Sequence, residues 1–276
     1  MKIIIKDNNI ELHEVKNFVL SETLDCGQAF RWSETDKDVW QGVAFGKFLK
    51  IGSKDKVITL FDTTKEDFEL FWKDYFDLDR NYAEILSVLS DNEVLKAAGE
   101  FAGGIRILRQ EPWEALCSFI ISQNNNIPRI KGIIERLCEN FGEEISHGVY
   151  SFPTAEKIAA LTLEDLAILR SGFRAKYILD AAKKVASKEI ILDDLRNLPL
   201  DLARAELLKI YGVGEKVADC TLLFGLSHIE AFPKDVWIKR AIGKLFDGVL
   251  PECAKEYAGI AQQYIFHYAR MTKLEI

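Results

Sequence analysis

The sequence predicts an α+β protein, an N-terminal antiparallel β-sheet domain followed by an all-α region. Three observations carry that expectation. Up to about residue 62 the apolar residues come in short runs, "KIII", "IELHEV", "AFRW", "VWQGVAFG", "FLKIG" and "VITLFD", rich in β-branched and aromatic side chains and divided by Asn, Asp, Gly and Ser. From "TTKEDFELFWKDYF" onward the spacing changes to i, i+3, i+4, with Phe68, Phe71, Trp72 and Phe76 on one stripe. Helical patterns then continue to the C-terminus without internal repeats or low-complexity segments. At 276 residues the chain exceeds the usual domain of roughly 100 to 200 residues. It is expected to divide into residues 1–110, the sheet with flanking helices, and residues 111–276, the helical part with a C-terminal helix.

After residue 110 the helix ends are marked. In "QEPWEALCSFIISQNNN", Pro112 opens a first turn, Trp113, Leu116 and Ile120 form an apolar face, and three asparagines stop the helix. "IPRIKGIIERLCENFG" restarts at Pro128 and ends before Gly142. Thr162 and Asp165 in "LTLEDLAILRSGF" have capping-box spacing, and "KYILDAAKKVASK" reads as a separate amphipathic helix. "LPLDLARAELLKIYGVGEKVADCTLLFGL" reads as a helical hairpin over about residues 201–226: Asp201 caps a first helix ending at Gly212, and a second begins near Glu215.

Composition narrows the classes of function. No apolar run approaches the roughly 18 residues of a membrane span. "MKIIIKDNNIELHE" lacks the long apolar segment and cleavage site of a signal peptide, so a cytoplasmic location is expected and no membrane partner. The five cysteines Cys26, Cys117, Cys138, Cys220 and Cys253 are scattered and contain no CxxC pair, which argues for reduced thiols and against a metal or cofactor. A net charge of -7 counts against nucleic acid. Between Arg170 and Lys188, however, six basic residues face the single acid Asp180, a cluster that suits either a phosphate surface or a plain solvated helix face.

The stretch "YGVGEKVADCTLLF" concentrates the question of function. Gly212 and Gly214 flank Val213 between two helices, a turn that can leave amide groups pointing outward at a helix N-terminus. Such a turn binds a phosphate through N–H groups and the helix dipole, without side-chain charge. A purely structural hairpin has the same pattern. Lys216 lies two residues beyond, either solvated in a first turn or aimed at what the turn holds. Downstream, Asp235 in "EAFPKDVWIKRAIGKLF" precedes an amphipathic helix of Val236, Ile238, Ala241, Ile242 and Leu245, where an ordinary N-cap would also place an aspartate.

The combination of hairpin, Lys216 and Asp235 resembles the helix-hairpin-helix DNA glycosylases, and a lysine at this position points to the bifunctional members. Six segments in order, "CGQAFRW", "SFIISQNNNIPRIKGIIERLCENFG", "SGFRAKY", "GVGEKVADC", "FPKDVW" and "YAGIAQQYIF", resemble the signatures of 8-oxoguanine DNA glycosylase of the eukaryotic type, here in a bacterial form. The resemblance spans nearly the whole chain. It implies a sheet domain followed by helical domains with the active site in the cleft, and double-stranded DNA containing 8-oxoguanine as the partner of a monomer that associates with the nucleoid when bound. Removing a base requires flipping the nucleotide out of the stack. An unprotonated lysine amine can then attack C1′ and end as a Schiff base, while a nearby carboxylate stabilises the charge developing on the sugar. The resemblance assigns these roles to Lys216 and Asp235.

It also implies that the Gly27 carbonyl accepts the N7 hydrogen that 8-oxoguanine has and guanine lacks, that Gln262 reads the Watson–Crick edge, and that Phe266 and Cys220 sandwich the ring. Taken singly, Gly27 reads as a turn, Phe266 as core and Cys220 as a small buried residue. Asn124 is expected to fill the gap left by the base, Arg129 and Arg174 to contact the orphaned partner, and Gly212, Val213 and Gly214 to grip the backbone; the three asparagines can also cap two helix ends. Two positions depart from the animal pattern: Phe173 stands where tyrosine is usual and still can wedge between bases, and Trp237 replaces a histidine that contacts phosphate. Two rival classes have their own signatures. A monofunctional alkylbase glycosylase shares Asp235 but lacks the lysine, and a non-catalytic DNA-binding protein needs the hairpin but neither Lys216 nor Asp235.

Overall fold

The strands form where side chains alternate between core and solvent. In β2 (Asn9–His13), β5 (Lys47–Lys54) and β6 (Val57–Phe61) the inward residues Ile10, Leu12, Leu49, Ile51, Ile58 and Leu60 are buried. Pairing Ile10 and Ile51 with Leu60, and Leu12 with Ile58, stacks these residues across the sheet. With β1 (Lys2–Lys6), β3 (Trp32–Asp36) and β4 (Val39–Ala44) they make one six-stranded antiparallel sheet of order β1-β2-β6-β5-β4-β3. The computed structural model describes residues 1–272.

Three local expectations need correction. In "AFRW" only Trp32 enters a strand; the preceding residues follow a short helix, Leu20–Leu24, that the sequence reading missed. The stripe after "TTKED" is broken by a π-helical turn, Phe68–Trp72, set between Lys65–Asp67 and Lys73–Tyr75. The wider turn keeps Phe68, Trp72 and Phe76 in the sheet's core and moves Phe71 to its rim, where the Lys47 ammonium lies 4.7 Å from the ring centroid. Within the helical region a small ribbon, Glu144–Ser146 paired with Val149–Tyr150, is an addition that no periodicity signalled.

Two helices are apolar on nearly every side and form the centre of the helical region. In Pro112–Ser122 every residue from Trp113 to Ile121 is buried, and in Glu215–Leu226 every residue from Val217 onward is. They pack against each other, with Phe119 and Phe224 stacked at 5.2 Å. Cys26 and Phe30, from the loop after Leu20–Leu24, belong to this helical core and not to the sheet's own.

The sheet domain is tied to the helices through polar groups that are almost fully buried. Arg106 donates to the carbonyls of Asp77 at 2.6 Å and Lys16 at 2.9 Å, with its guanidinium 4.5 Å from the Tyr82 ring centroid. Arg31 lies 3.4 Å from Glu114 and also donates to the Tyr150 carbonyl. Burial pushes the Glu114 carboxyl up to about 7 in spite of the opposing Arg31 charge. The folded chain therefore holds this proton more tightly than the unfolded chain. Its stabilising contribution is complete below the ordinary glutamate range and is lost as pH rises through about 7. Glu114→Gln should flatten the fall in stability between about pH 5 and 8, by on the order of 1 to 3 kcal/mol. Urea unfolding of both proteins across that range checks it; parallel pH profiles would mean that Glu114 titrates normally.

Candidate active site

The helical hairpin aims Lys216. Its first helix, Leu200–Leu207, starts after Pro199, so Asp201 is not the cap; it bonds Arg204 at 2.6 Å on the helix surface. The helix also ends short of Gly212, and residues 208–214 form the turn. Gly212 sits at φ +80, and a Cβ there would lie 2.4 Å from the Tyr177 ring, so only glycine fits. Gly214, expected to share that freedom, has φ -104 and open space around it; it is the N-cap of Glu215–Leu226 and leaves the helix start uncovered. Val213 is buried and pins the turn.

From the second residue of that helix Lys216 turns inward. Its Nζ donates to Ser122 Oγ at 3.1 Å and stands 5.1 Å from the Phe119 ring centroid, both on Pro112–Ser122. One turn later Cys220 is buried beside it. Burial pushes the Cys220 thiol up to about 11, with the Lys216 charge pulling down and the Asp235 charge pushing up. Asp235 caps Val236–Leu245, its Oδ1 accepting from the Ile238 amide at 2.7 Å. Asp235 itself is not among the residues that line the cavity of Lys216.

A cavity of about 150 Å³ gathers the remaining groups. Gly27, Lys216, Cys220, Gln262 and Phe266, drawn from three separate stretches of chain, all line it, together with Ser122, Asn125 and Gln263. Gly27 has φ +88 with its nearest neighbour at an ordinary 3.7 Å, so backbone conformation, not crowding, demands glycine. Gln262 is almost fully buried on the helix Ala258–Met271. Phe266 also borders a second cavity of about 330 Å³, whose outer wall carries Trp237, half exposed on Val236–Leu245.

The three asparagines divide their work. Asn125 Nδ2 closes the end of Pro112–Ser122 by donating to the Ile121 carbonyl at 3.1 Å, and Asn126 Oδ1 caps Ile127–Phe141 at the Arg129 amide, 3.0 Å away. Asn124 is left exposed at φ +46. Arg129 is exposed in the first turn of Ile127–Phe141. Arg174, expected at the orphaned base, is 3% exposed. Its guanidinium donates to the carbonyls of Gln123 and Ser171, and to that of Asn124 at 2.8 Å. Desolvation, then the Arg129 charge, lowers its pKa. The left-handed turn at Asn124 leaves the Gln123 and Asn124 carbonyls without helical partners, and Arg174 satisfies them. Phe173, beside it, is 46% exposed and meets Tyr177 edge-on at 5.6 Å.

Ser122, Phe119 and Gln263 were missed in the sequence. Phe119 and Ser122 lie outside the apolar face of Trp113, Leu116 and Ile120, and nothing local marks Gln263; helix packing alone turns them inward. Among the described residues no group of three or more His, Cys, Asp or Glu side chains is placed to hold a metal, and no helix is long and apolar enough to cross a membrane.

Comparison with known proteins adds the relationships. Residues 11–116 match the family model described as 8-oxoguanine DNA glycosylase, N-terminal domain, and residues 117–249 the model of HhH-GPD superfamily base excision DNA repair proteins. The Saccharomyces cerevisiae N-glycosylase/DNA lyase is 35% identical over 80% of this chain, which spans 66% of the yeast protein's length. A probable N-glycosylase/DNA lyase of Methanothermobacter thermautotrophicus is 30% identical over 72% of this chain and 74% of its own. The Clostridium acetobutylicum 8-oxoguanine glycosylase/lyase, solved with duplex DNA containing cytosine opposite 8-oxoguanine, superposes with a TM-score of 0.93 at 36% identity, covering 99% of both chains.

The contrast between the hairpin glycines is measurable. Gly212→Ala should cost more than about 1 kcal/mol, because it combines positive φ with a clash against Tyr177. Gly214→Ala, in open space at an extended cap, should cost less than about 1 kcal/mol. Thermal melts of the two variants decide it, and equal losses would contradict the geometry.

Proposed function

The chain belongs to the 8-oxoguanine DNA glycosylase family of the HhH-GPD superfamily, and on that premise we propose that it is a bifunctional glycosylase and abasic-site lyase that removes 8-oxoguanine from duplex DNA. The observation that carries the reading is Lys216, turned from solvent onto the wall of a cavity shared with Gly27, Gln262 and Phe266. In the reaction the Lys216 amine, once unprotonated, attacks C1′, and the bond to N9 breaks with its electrons leaving on the base. Opening of the sugar gives a Schiff base, and loss of the C2′ proton expels the 3′ phosphate. Asp235, held by its cap bond, stabilises positive charge on the sugar as the base departs. Its fixed position means that no reorganisation is needed at that moment.

Recognition follows the same cavity. The Gly27 carbonyl accepts the lesion's N7 hydrogen, Gln262 reads the Watson–Crick edge, and the ring lies between Phe266 and Cys220. Outside, Asn124 enters the gap, Phe173 wedges the stack, and Arg129 meets the orphaned base while Arg174 holds the turn in shape. The Gly212 and Gly214 amides take the phosphate, which suits a chain of net charge -7, while Val213, expected to join them, gives its amide to the Ile210 carbonyl at 3.1 Å. Trp237 offers an aromatic face in place of a histidine contact. The protein works as a monomer in the cytoplasm, at the nucleoid when bound to DNA.

Lys216→Gln should abolish borohydride trapping on an 8-oxoguanine duplex, and base release with it, while retaining DNA affinity within a few fold. Trapping that survives would mean that another amine is the nucleophile. Asp235→Asn keeps a capping oxygen and should cost less than about 1 kcal/mol of stability, yet slow single-turnover base release roughly one hundredfold or more. An unchanged rate with unchanged stability would remove Asp235 from the chemistry.

A further inference from the structure

The base cavity contains a polar group to which the roles above give no task. Gln263 follows Gln262 on Ala258–Met271 and is 5% exposed. Its Nε2 donates to Gln262 Oε1 at 2.7 Å, whereas its own Oε1, sealed from solvent, has no hydrogen-bond partner. Buried side-chain acceptors are rarely left so. Both glutamines line the same cavity as Gly27 and Lys216.

The bond between the two amides occupies one lone pair of Gln262 Oε1 and leaves the other to spare. The Gln263 oxygen adds a second acceptor. Two neighbouring acceptors match the two neighbouring donors of a guanine-type edge, the ring N1–H and the exocyclic 2-amine. An adenine-type edge offers an acceptor at N1 and nothing polar at C2, and would leave both oxygens unpaired. An arriving guanine-type base thus supplies the donor that this oxygen lacks, once the Gln263 amide turns its sealed oxygen toward the cavity.

We propose that Gln263 is a specificity residue of this cavity, which accepts a hydrogen bond from the 2-amine of the flipped lesion. The assignment rests on reading the cavity as the base pocket, so the test separates the two. Single-turnover base release is measured on duplexes carrying 8-oxoguanine or 8-oxohypoxanthine, lesions that differ only in the 2-amine, with the unmodified protein and with Gln263→Met. The unmodified protein should favour 8-oxoguanine by about tenfold or more, the worth of one buried hydrogen bond. Gln263→Met, close in volume and free of unpaired oxygen, should lose most of that preference, the two rates converging to within about threefold. Equal rates on both lesions with the unmodified protein, or an unchanged ratio in Gln263→Met, would overturn the proposal. Because the first comparison needs no variant, it decides even if Gln263→Met folds poorly. Borohydride trapping on a duplex with a preformed abasic site reports on the lyase itself. Trapping without lesion preference overturns the role of Gln263 alone, whereas no trapping and no base release overturns the enzymatic reading and this inference with it.

Discussion

The buried amide of Gln28 is the joint on which the rest depends. It is wholly inaccessible to solvent. Its Nε2 donates to the carbonyls of Thr23 and Arg106, each at 2.8 Å, and its Oε1 accepts from the Leu108 amide at 2.9 Å. Its own carbonyl receives Gln110 Nε2 at 2.6 Å, while the Gln110 amide donates to the Phe224 carbonyl at the far end of the hairpin's second helix. Gln28 and Gln110 together thereby link the loop after Leu20–Leu24, the strap of residues 104–110 and the helix that carries Lys216. Such a network is strong only when complete, since a single unpaired group in this setting costs about 1–3 kcal/mol. Its completeness holds Gly27, the preceding residue, against the cavity that Lys216 also faces.

Opposite that joint, the hairpin solves a conflict of charge. A lysine near a helix N-terminus meets the unfavourable end of the dipole. Here its amine is received by a hydroxyl and an aromatic face from a neighbouring helix. In the turn itself the Val213 amide donates to the Ile210 carbonyl at 3.1 Å, and the Gly212 and Gly214 amides have no partner among the described residues that a basic side chain would have to replace. An acidic chain can therefore present a nucleic-acid surface, with its exposed aromatic and basic residues Phe173, Tyr211 and Lys176 grouped around Tyr177 and the hairpin.

The division between sheet and helices, the helix starts at Pro112 and, within a residue, at Pro128, and the reciprocal bonds of Thr162 and Asp165 were legible in local patterns. Each depends on residues within one turn of one another, which is the range that periodicity and capping describe. The π turn at Phe68–Trp72 was not legible, because one extra residue per turn leaves the list of apolar positions almost unchanged. The ends of Leu200–Leu207 were misplaced because Asp201 is an acceptable cap in sequence, but Pro199 already sets the start and Arg204 engages the carboxylate.

The sequence by itself determined which chemical groups are present and in what order: a lysine behind a glycine turn, an aspartate before an amphipathic helix, and a glycine, a cysteine, a glutamine and a phenylalanine far apart along the chain. Only the tertiary structure decided which of them meet. Gly27, Lys216, Cys220, Gln262 and Phe266 converge because Pro112–Ser122 and Glu215–Leu226 bury almost all of their surfaces against common neighbours, leaving one small gap whose walls come from the sheet-side loop, the hairpin and the C-terminal helix. The same packing turned Arg174 inward to the carbonyls of a left-handed turn and brought the unpaired oxygen of Gln263 to the cavity. Such contacts join residues separated by up to hundreds of positions, and no local periodicity encodes them, because they depend on which backbone groups the rest of the fold leaves without a partner.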